Sequence, residues 1–185
     1  RLVSLNEVGG HPEHFGTTLA DFHEQNAARQ QHWPHAMLAS STHDTKRSED
    51  VRARINVLSE LPAAWLAGLA RWAECNAGKK TPVDGELAPD ANDEYLLYQT
   101  LLGVWPFELL GEAGATPPPG ELIERVAAYM LKATKEAKVH TSWVNPNTAY
   151  DSAMRDFVYA VLAETGTSPF WELMQPLLRQ VAFYG

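Results

Sequence analysis

The stretch Ser40-Ser41-Thr42-His43-Asp44-Thr45-Lys46-Arg47-Ser48-Glu49-Asp50 concentrates groups that can do chemistry. It sets a carboxylate (Asp44) beside an imidazole (His43), two cations (Lys46, Arg47) and the hydroxyls of Ser41, Thr42 and Thr45. Carboxylates accept hydrogen bonds from hydroxyls, and imidazole and ammonium donate to them, so the set suits a neutral polyol such as a sugar. Part of the stretch has a plainer use. Ser48 is a good N-cap, and Glu49 and Asp50 favour the positive end of a helix dipole. His43-Asp44 is not needed for that purpose. Other candidates are weaker. His11 and His14 could face one metal from a helix, but no third ligand is in view. Trp143 with Asn145 and Asn147 could stack on and bind a sugar, but Asn145-Pro146 reads first as turn chemistry. Tyr95 and Tyr98 flank acidic groups at helical spacing, and one or both read as core. Cys75 has no ligand spacing around it and reads as a packing residue.

The elements that must position the turn follow from periodicity. Phe15, Leu19 and Phe22 predict a helix from near Pro12 to near Gln31, which Pro34 stops. The apolar run Ala36 to Ala39 predicts a short strand, and Val51, Ile55 and Leu58 a helix. Helix, strand, polar turn, helix is one step of an α/β barrel, with function at the strand's C-terminal end. After Asp50 the rhythm changes to helix after helix. Pro62 opens one that carries Trp65, Leu69 and Trp72 and ends near Gly78. Lys79 to Asp90, with Pro82, Gly85 and Pro89, reads as an exposed loop. Asn92 starts a helix that Pro106 ends or kinks. Gly111 to Gly120 is a stiff Pro-rich connector. Further helices are expected over Glu121 to about Lys138, over Tyr150 to about Glu164, and after Ser168-Pro169. The expected fold is mainly α.

Composition narrows the function classes. Hydrophobic residues make up 45% of the 185 and charged residues 21%, ordinary for a globular chain. The net charge of −8, from 15 basic and 23 acidic residues, argues against nucleic acid or an anionic membrane as partner. The lone cysteine leaves no internal disulfide and fits the cytoplasm. No run is apolar enough to span a bilayer, no signal peptide is seen, and the opening Arg1-Leu2-Val3 without an initiator Met suggests a fragment.

The string from Ser41 to Arg54 resembles the maltooligosyl trehalose synthases, a branch of the alpha-amylase family. So do, in the same order, Arg1 to Gly10, Asn92 to Gln99 and Lys135 to Trp143. The resemblance runs nearly end to end and implies an internal piece of a longer enzyme. Residues 1–50 would be a piece of the catalytic (β/α)8 barrel: the end of its sixth repeat, its seventh strand and the His-Asp turn. Only one helix and about one short strand of the barrel would remain. Residues 51–185 would be a helical subdomain inserted before the eighth strand.

The resemblance also implies roles. Retaining glycosidases use a carboxylate nucleophile and a second carboxyl about 5 Å away as acid/base. Amylase-like members add a third carboxylate, and Asp44 matches it. His43 matches the adjacent sugar-binding histidine, and Lys46 the contact to the acceptor glucose. Arg47 is expected to form an ion pair with nearby acidic groups first and to touch substrate second. The nucleophile and acid/base are expected upstream. Glu7 could face the barrel, though a structural hydrogen bond is its simpler use. The implied reaction is an intramolecular glucosyl transfer, an isomerisation. It converts the reducing-end α-1,4 link of a maltooligosaccharide to an α,α-1,1 link, with no cofactor and no metal. The partners are that substrate and the rest of the barrel. An amylase-like hydrolase, another glucanotransferase, or a non-catalytic helical interaction module are the alternatives. The 185 residues alone are expected to be inactive.

Overall fold

A computed structural model describes residues 11–14, 16–110, 118–163 and 168–185. The helices, in chain order, are α1 (Leu19–His32), α2 (Glu49–Val57), α3 (Pro62–Asn76), α4 (Ala91–Val104), α5 (Gly120–Ala137), α6 (Thr148–Leu162) and α7 (Pro169–Tyr184). Between α3 and α4 lies a hairpin of β1 (Thr81–Val83) and β2 (Glu86–Ala88).

Local chemistry sets most helix starts. Ser48, Asp90 and Asn147 cap α2, α4 and α6, each accepting from a backbone N–H three residues on, at 3.4, 2.8 and 3.1 Å. Pro62 and Pro169 stand in the first turns of α3 and α7, where a missing N–H costs nothing. Lys138, with φ at 59°, ends α5 in the left-handed region.

One apolar core holds α2 to α7 together. Trp72, Tyr98, Phe157, Phe170 and Trp171 are fully buried at its centre. Helices pack in pairs, α5 on α6, α3 on α7 and α2 on α4. The α2–α4 approach needs Gly103, where an added Cβ would sit 2.6 Å from Val51 Cγ1. Among the described residues, α1 buries no side chain, and its Leu19 and Phe22 are exposed.

Three expectations change. Ala36 to Ala39 forms no strand, and Met37 and Leu38 are exposed. A strand is defined by its ladder, and no neighbouring strand is present among the described residues to supply one. The first helix begins at Leu19, capped by Thr18, rather than near Pro12. The expected loop over Lys79 to Asp90 contains the hairpin, turned at Asp84 and Gly85 with φ of 52° and 88°. Asp-Gly suits the positive φ that such a two-residue turn needs. Residues 111–117 of the expected connector lie outside the described residues, and Pro118 and Pro119 lead into α5.

Two polar networks stitch the lobe. In the first, Tyr98 donates to Glu94 Oε1 at 2.6 Å and accepts from Asn76 Nδ2 at 2.9 Å. Lys80 Nζ pairs with Glu94 Oε2 at 2.7 Å. In the second, His140 Nε2 lies 2.8 Å from Asp90 Oδ2 and its ring stacks on Tyr150. Tyr150 donates to Asp93 Oδ2 at 2.5 Å. Burial pushes the Asp90 carboxyl up, but the Asp93 backbone N–H and His140 outweigh it and hold it below its usual range. Burial raises Asp93. Both phenols are raised as well, by burial first and then by their carboxylate partners.

The sign for the phenols is fixed. An acid with a raised folded-state pKa stabilises the fold fully below its unfolded value, about 10, and loses that stabilisation as pH rises further. Stability should therefore fall above about pH 10, by up to about 1.4 kcal/mol per pH unit for each phenol. The double variant Tyr98→Phe/Tyr150→Phe should show a flatter alkaline limb in urea melts from pH 8 to 11.5. Equal slopes for the variant and the parent would contradict the assignment.

Candidate functional site

The His-Asp turn is built by its own hydroxyls. Thr42 caps a short 3-10 turn over His43–Thr45, accepting from Asp44 N at 3.2 Å. Thr45 Oγ1 accepts from Thr42 N at 3.3 Å and lies 2.9 Å from the Arg47 carbonyl. Lys46, with φ at 58°, closes the turn in the left-handed region. Arg52 from α2 donates to the Ser40 carbonyl and ties down the turn's entry. His43 Nδ1 lies 3.5 Å from Asp44 Oδ1, and both side chains are mostly exposed.

A cleft of about 540 Å³ opens beside the turn. His43, Lys46 and Arg47 line one side, with Ser41, Thr42 and Ser48. Tyr129, Lys132, Ala133 and Glu136 of α5 form the other. A second cavity of about 390 Å³ shares Lys46, Arg47 and Tyr129 and runs toward Thr100 of α4. Asp44 stands at the same turn but is not among the lining residues. Lys132 Nζ and Glu136 Oε1 are 3.8 Å apart, so the α5 wall carries both signs of charge.

Arg47 departs from expectation. Among the described residues no carboxylate pairs with it. Its Nη2 donates to Thr100 Oγ1 at 3.3 Å, and its guanidinium lies 5.5 Å from the centre of the Tyr129 ring. Burial lowers its pKa, partly offset by Tyr129.

The α5 wall escaped the sequence reading. Tyr129, Lys132 and Glu136 recur on the polar side of an amphipathic helix, where solvent is the default expectation. The other candidates fall as follows. Tyr98 is core, as expected, while Tyr95 is partly exposed and accepts from Trp65 Nε1 at 3.2 Å. Cys75 packs against the core. Trp143 is exposed, with Lys135 Nζ 5.0 Å from its ring centre, in a loop where Ser142 Oγ accepts from Asn145 N at 2.8 Å. The rings of His11 and His14 lie 5.6 Å apart, and no group of metal-binding side chains forms among the described residues. Glu7 and the stretch Arg1 to Gly10 lie outside the described residues. No helix among them is long and apolar enough to cross a membrane.

No protein-family model matches the chain. It is 44% identical over 162 residues, 88% of its length, to a Mycobacterium tuberculosis H37Rv protein assigned as a maltooligosyl trehalose synthase. A second M. tuberculosis protein with the same assignment, from strain CDC 1551, matches equally. The chain spans 19% of these curated relatives. Its fold matches a crystal structure of maltooligosyl trehalose synthase with a TM-score of 0.73 at 30% identity, covering 97% of this chain and 22% of that one. It matches the Arthrobacter ramosus maltooligosyltrehalose synthase with a TM-score of 0.67 at 32% identity, covering 96% of this chain and 20% of that one.

Proposed function

We infer that this chain belongs to the maltooligosyl trehalose synthases as a segment of about a fifth of such an enzyme, since it spans 19% of its curated relatives. We propose that residues 1–50 are its share of the catalytic barrel, residues 51–185 a helical subdomain inserted in that barrel, and the cytoplasm its compartment. The enzyme would convert the reducing-end α-1,4 link of a maltooligosaccharide to an α,α-1,1 link. A nucleophilic carboxylate, supplied outside the described residues, displaces O4 of the terminal glucose and forms a glycosyl-enzyme. An acid/base carboxyl protonates that O4. The released glucose turns, its anomeric hydroxyl attacks the glycosyl carbon, and the same acid/base takes the proton.

In this scheme Asp44 accepts hydrogen bonds from hydroxyls of the distorted sugar. That interaction accelerates the reaction to the extent that it strengthens as oxocarbenium character develops. His43 donates to the same sugar, and Lys46 to the acceptor glucose. The observation that carries the reading is the cleft, which puts His43 and Lys46 opposite a polar-aromatic wall from the helical subdomain. A lobe over the turn helps to keep water from the glycosyl-enzyme, where hydrolysis would compete with transfer.

Product analysis of the full-length enzyme tests the reaction. A non-reducing, trehalose-ended oligosaccharide is expected. Free maltooligosaccharides alone would indicate a hydrolase, and chain disproportionation a glucanotransferase. The 185 residues by themselves should neither form trehalose ends nor hydrolyse maltopentaose, because two of the reacting carboxylates are supplied elsewhere. Robust turnover by the purified chain would overturn the assignment of the turn.

A further inference from the structure

We propose that Arg47 is a positioning residue: it fixes the His43-Asp44 turn to the helical subdomain by spanning from the turn to Thr100 of α4 and Tyr129 of α5. The proposal rests on the functional reading of Asp44 given above.

The Arg47 backbone belongs to the turn. Its carbonyl lies 2.9 Å from Thr45 Oγ1, the hydroxyl that also accepts from Thr42 N. Its side chain reaches into the lobe. There Nη2 donates to Thr100 Oγ1 at 3.3 Å, and the guanidinium faces the Tyr129 ring at 5.5 Å. Both partners are anchored. Thr100 is buried, and its hydroxyl donates to the Leu96 carbonyl at 2.7 Å inside α4. Tyr129 packs against the main core.

The choice of partners is telling. A partly buried cation without a carboxylate is a costly way to stabilise a protein. A neutral hydroxyl and a ring face hold a planar guanidinium in direction without neutralising it. The α2–α4 junction also has a separate clamp, since Arg54 Nη1 donates to the Trp105 carbonyl at 2.6 Å. Arg47 is therefore not needed to join those helices. What it adds is a fixed distance between the turn and the cleft's far wall, and small displacements of reacting groups cost large factors in rate.

The test compares Arg47→Ala, Thr100→Val and Arg54→Ala in the full-length enzyme, with maltopentaose as substrate and thermal melts as the check on folding. Arg47→Ala should lower kcat by roughly 10- to 100-fold. Its KM should stay within about threefold of the parent's, because an interaction that matters only in the transition state leaves substrate affinity nearly alone. Thr100→Val, a near-isosteric change, should lower kcat about three- to tenfold in the same pattern. Arg54→Ala should lower Tm with kcat at the parent value. A rise in KM at unchanged kcat for Arg47→Ala would make Arg47 a substrate contact and overturn the proposal. Parent-like kinetics for Arg47→Ala would overturn it too. If Arg47→Ala does not fold, Thr100→Val decides, and parent-like kcat there ends the proposal. Full turnover by Asp44→Asn would instead sink the functional reading, so the two failures are distinct.

Discussion

Asp44→Asn in the full-length enzyme should cut kcat by roughly a hundred- to a thousandfold, while substrate affinity changes little. Asparagine is nearly isosteric with aspartate, and the Asp44 side chain is mostly exposed with no buried partner, so folding should survive. The backbone N–H of residue 44 still meets Thr42, which preserves the turn. On the role proposed for Asp44, what disappears is a negative charge facing a sugar that becomes cationic in the transition state. Losing one oriented electrostatic contact of this kind costs roughly 3–4 kcal/mol in the barrier. The loss should fall on kcat rather than on KM, since it belongs to the transition state. Asp50→Asn is the control. It removes a charge of the same sign from the first turn of α2, where a dipole interaction of about 0.3–1 kcal/mol affects stability and not rate. Equal losses in the two variants, or near-normal turnover by Asp44→Asn, would exclude Asp44 as the third carboxylate.

Glu94→Ala should destabilise the helical lobe by about 3–5 kcal/mol. Glu94 is 5% exposed. Its carboxylate accepts from the Tyr98 hydroxyl at 2.6 Å and pairs with Lys80 at 2.7 Å, in a site where the Lys80 side chain is only 14% exposed. Truncation leaves an ammonium without a counter-charge, and the buried phenol loses its short carboxylate acceptor and keeps the longer contact to the Trp72 carbonyl at 3.2 Å. The larger penalty is the desolvation of an ammonium that no longer has a partner. Glu94→Gln should cost less, because the amide oxygen can still accept from Tyr98. Glu121→Ala, in the exposed first turn of α5, should cost no more than about 1 kcal/mol, the dipole contribution of such a carboxylate. Urea melts measure the series, and the change should appear in the midpoint with the slope preserved. A Glu94→Ala midpoint equal to that of Glu121→Ala would show that the network contributes no stability.

The core was legible where one residue type and one period suffice. Trp65 and Trp72, Leu97 and Leu101, and Val126 and Met130 all fall on inward faces at helical spacing, and all are buried. Asp84-Gly85 is as local a signal as these, yet three prolines and glycines nearby read as a loop and hid the hairpin. The strand expected over Ala36 to Ala39 failed for the opposite reason. Apolar residues permit a strand, but only neighbouring strands make one.

By itself the sequence determined the helical architecture, the helix start at Ser48, the first-turn prolines Pro62 and Pro169, the His43-Asp44 turn and the kinship of its motifs. These depend on side chains acting on their own backbone or repeating every few residues, so they are written locally. The tertiary structure decided who meets the turn. Arg47 and Thr100 are separated by 53 residues, and an acidic partner for Arg47 was the natural local expectation. The packing of α2 on α4, with Gly103 allowing the close approach, brings Thr100 within reach, and α5 adds Tyr129 across the cleft. A guanidinium's partner is set by where the fold closes, because a hydrogen bond needs contact and periodicity carries no information about contact between distant helices.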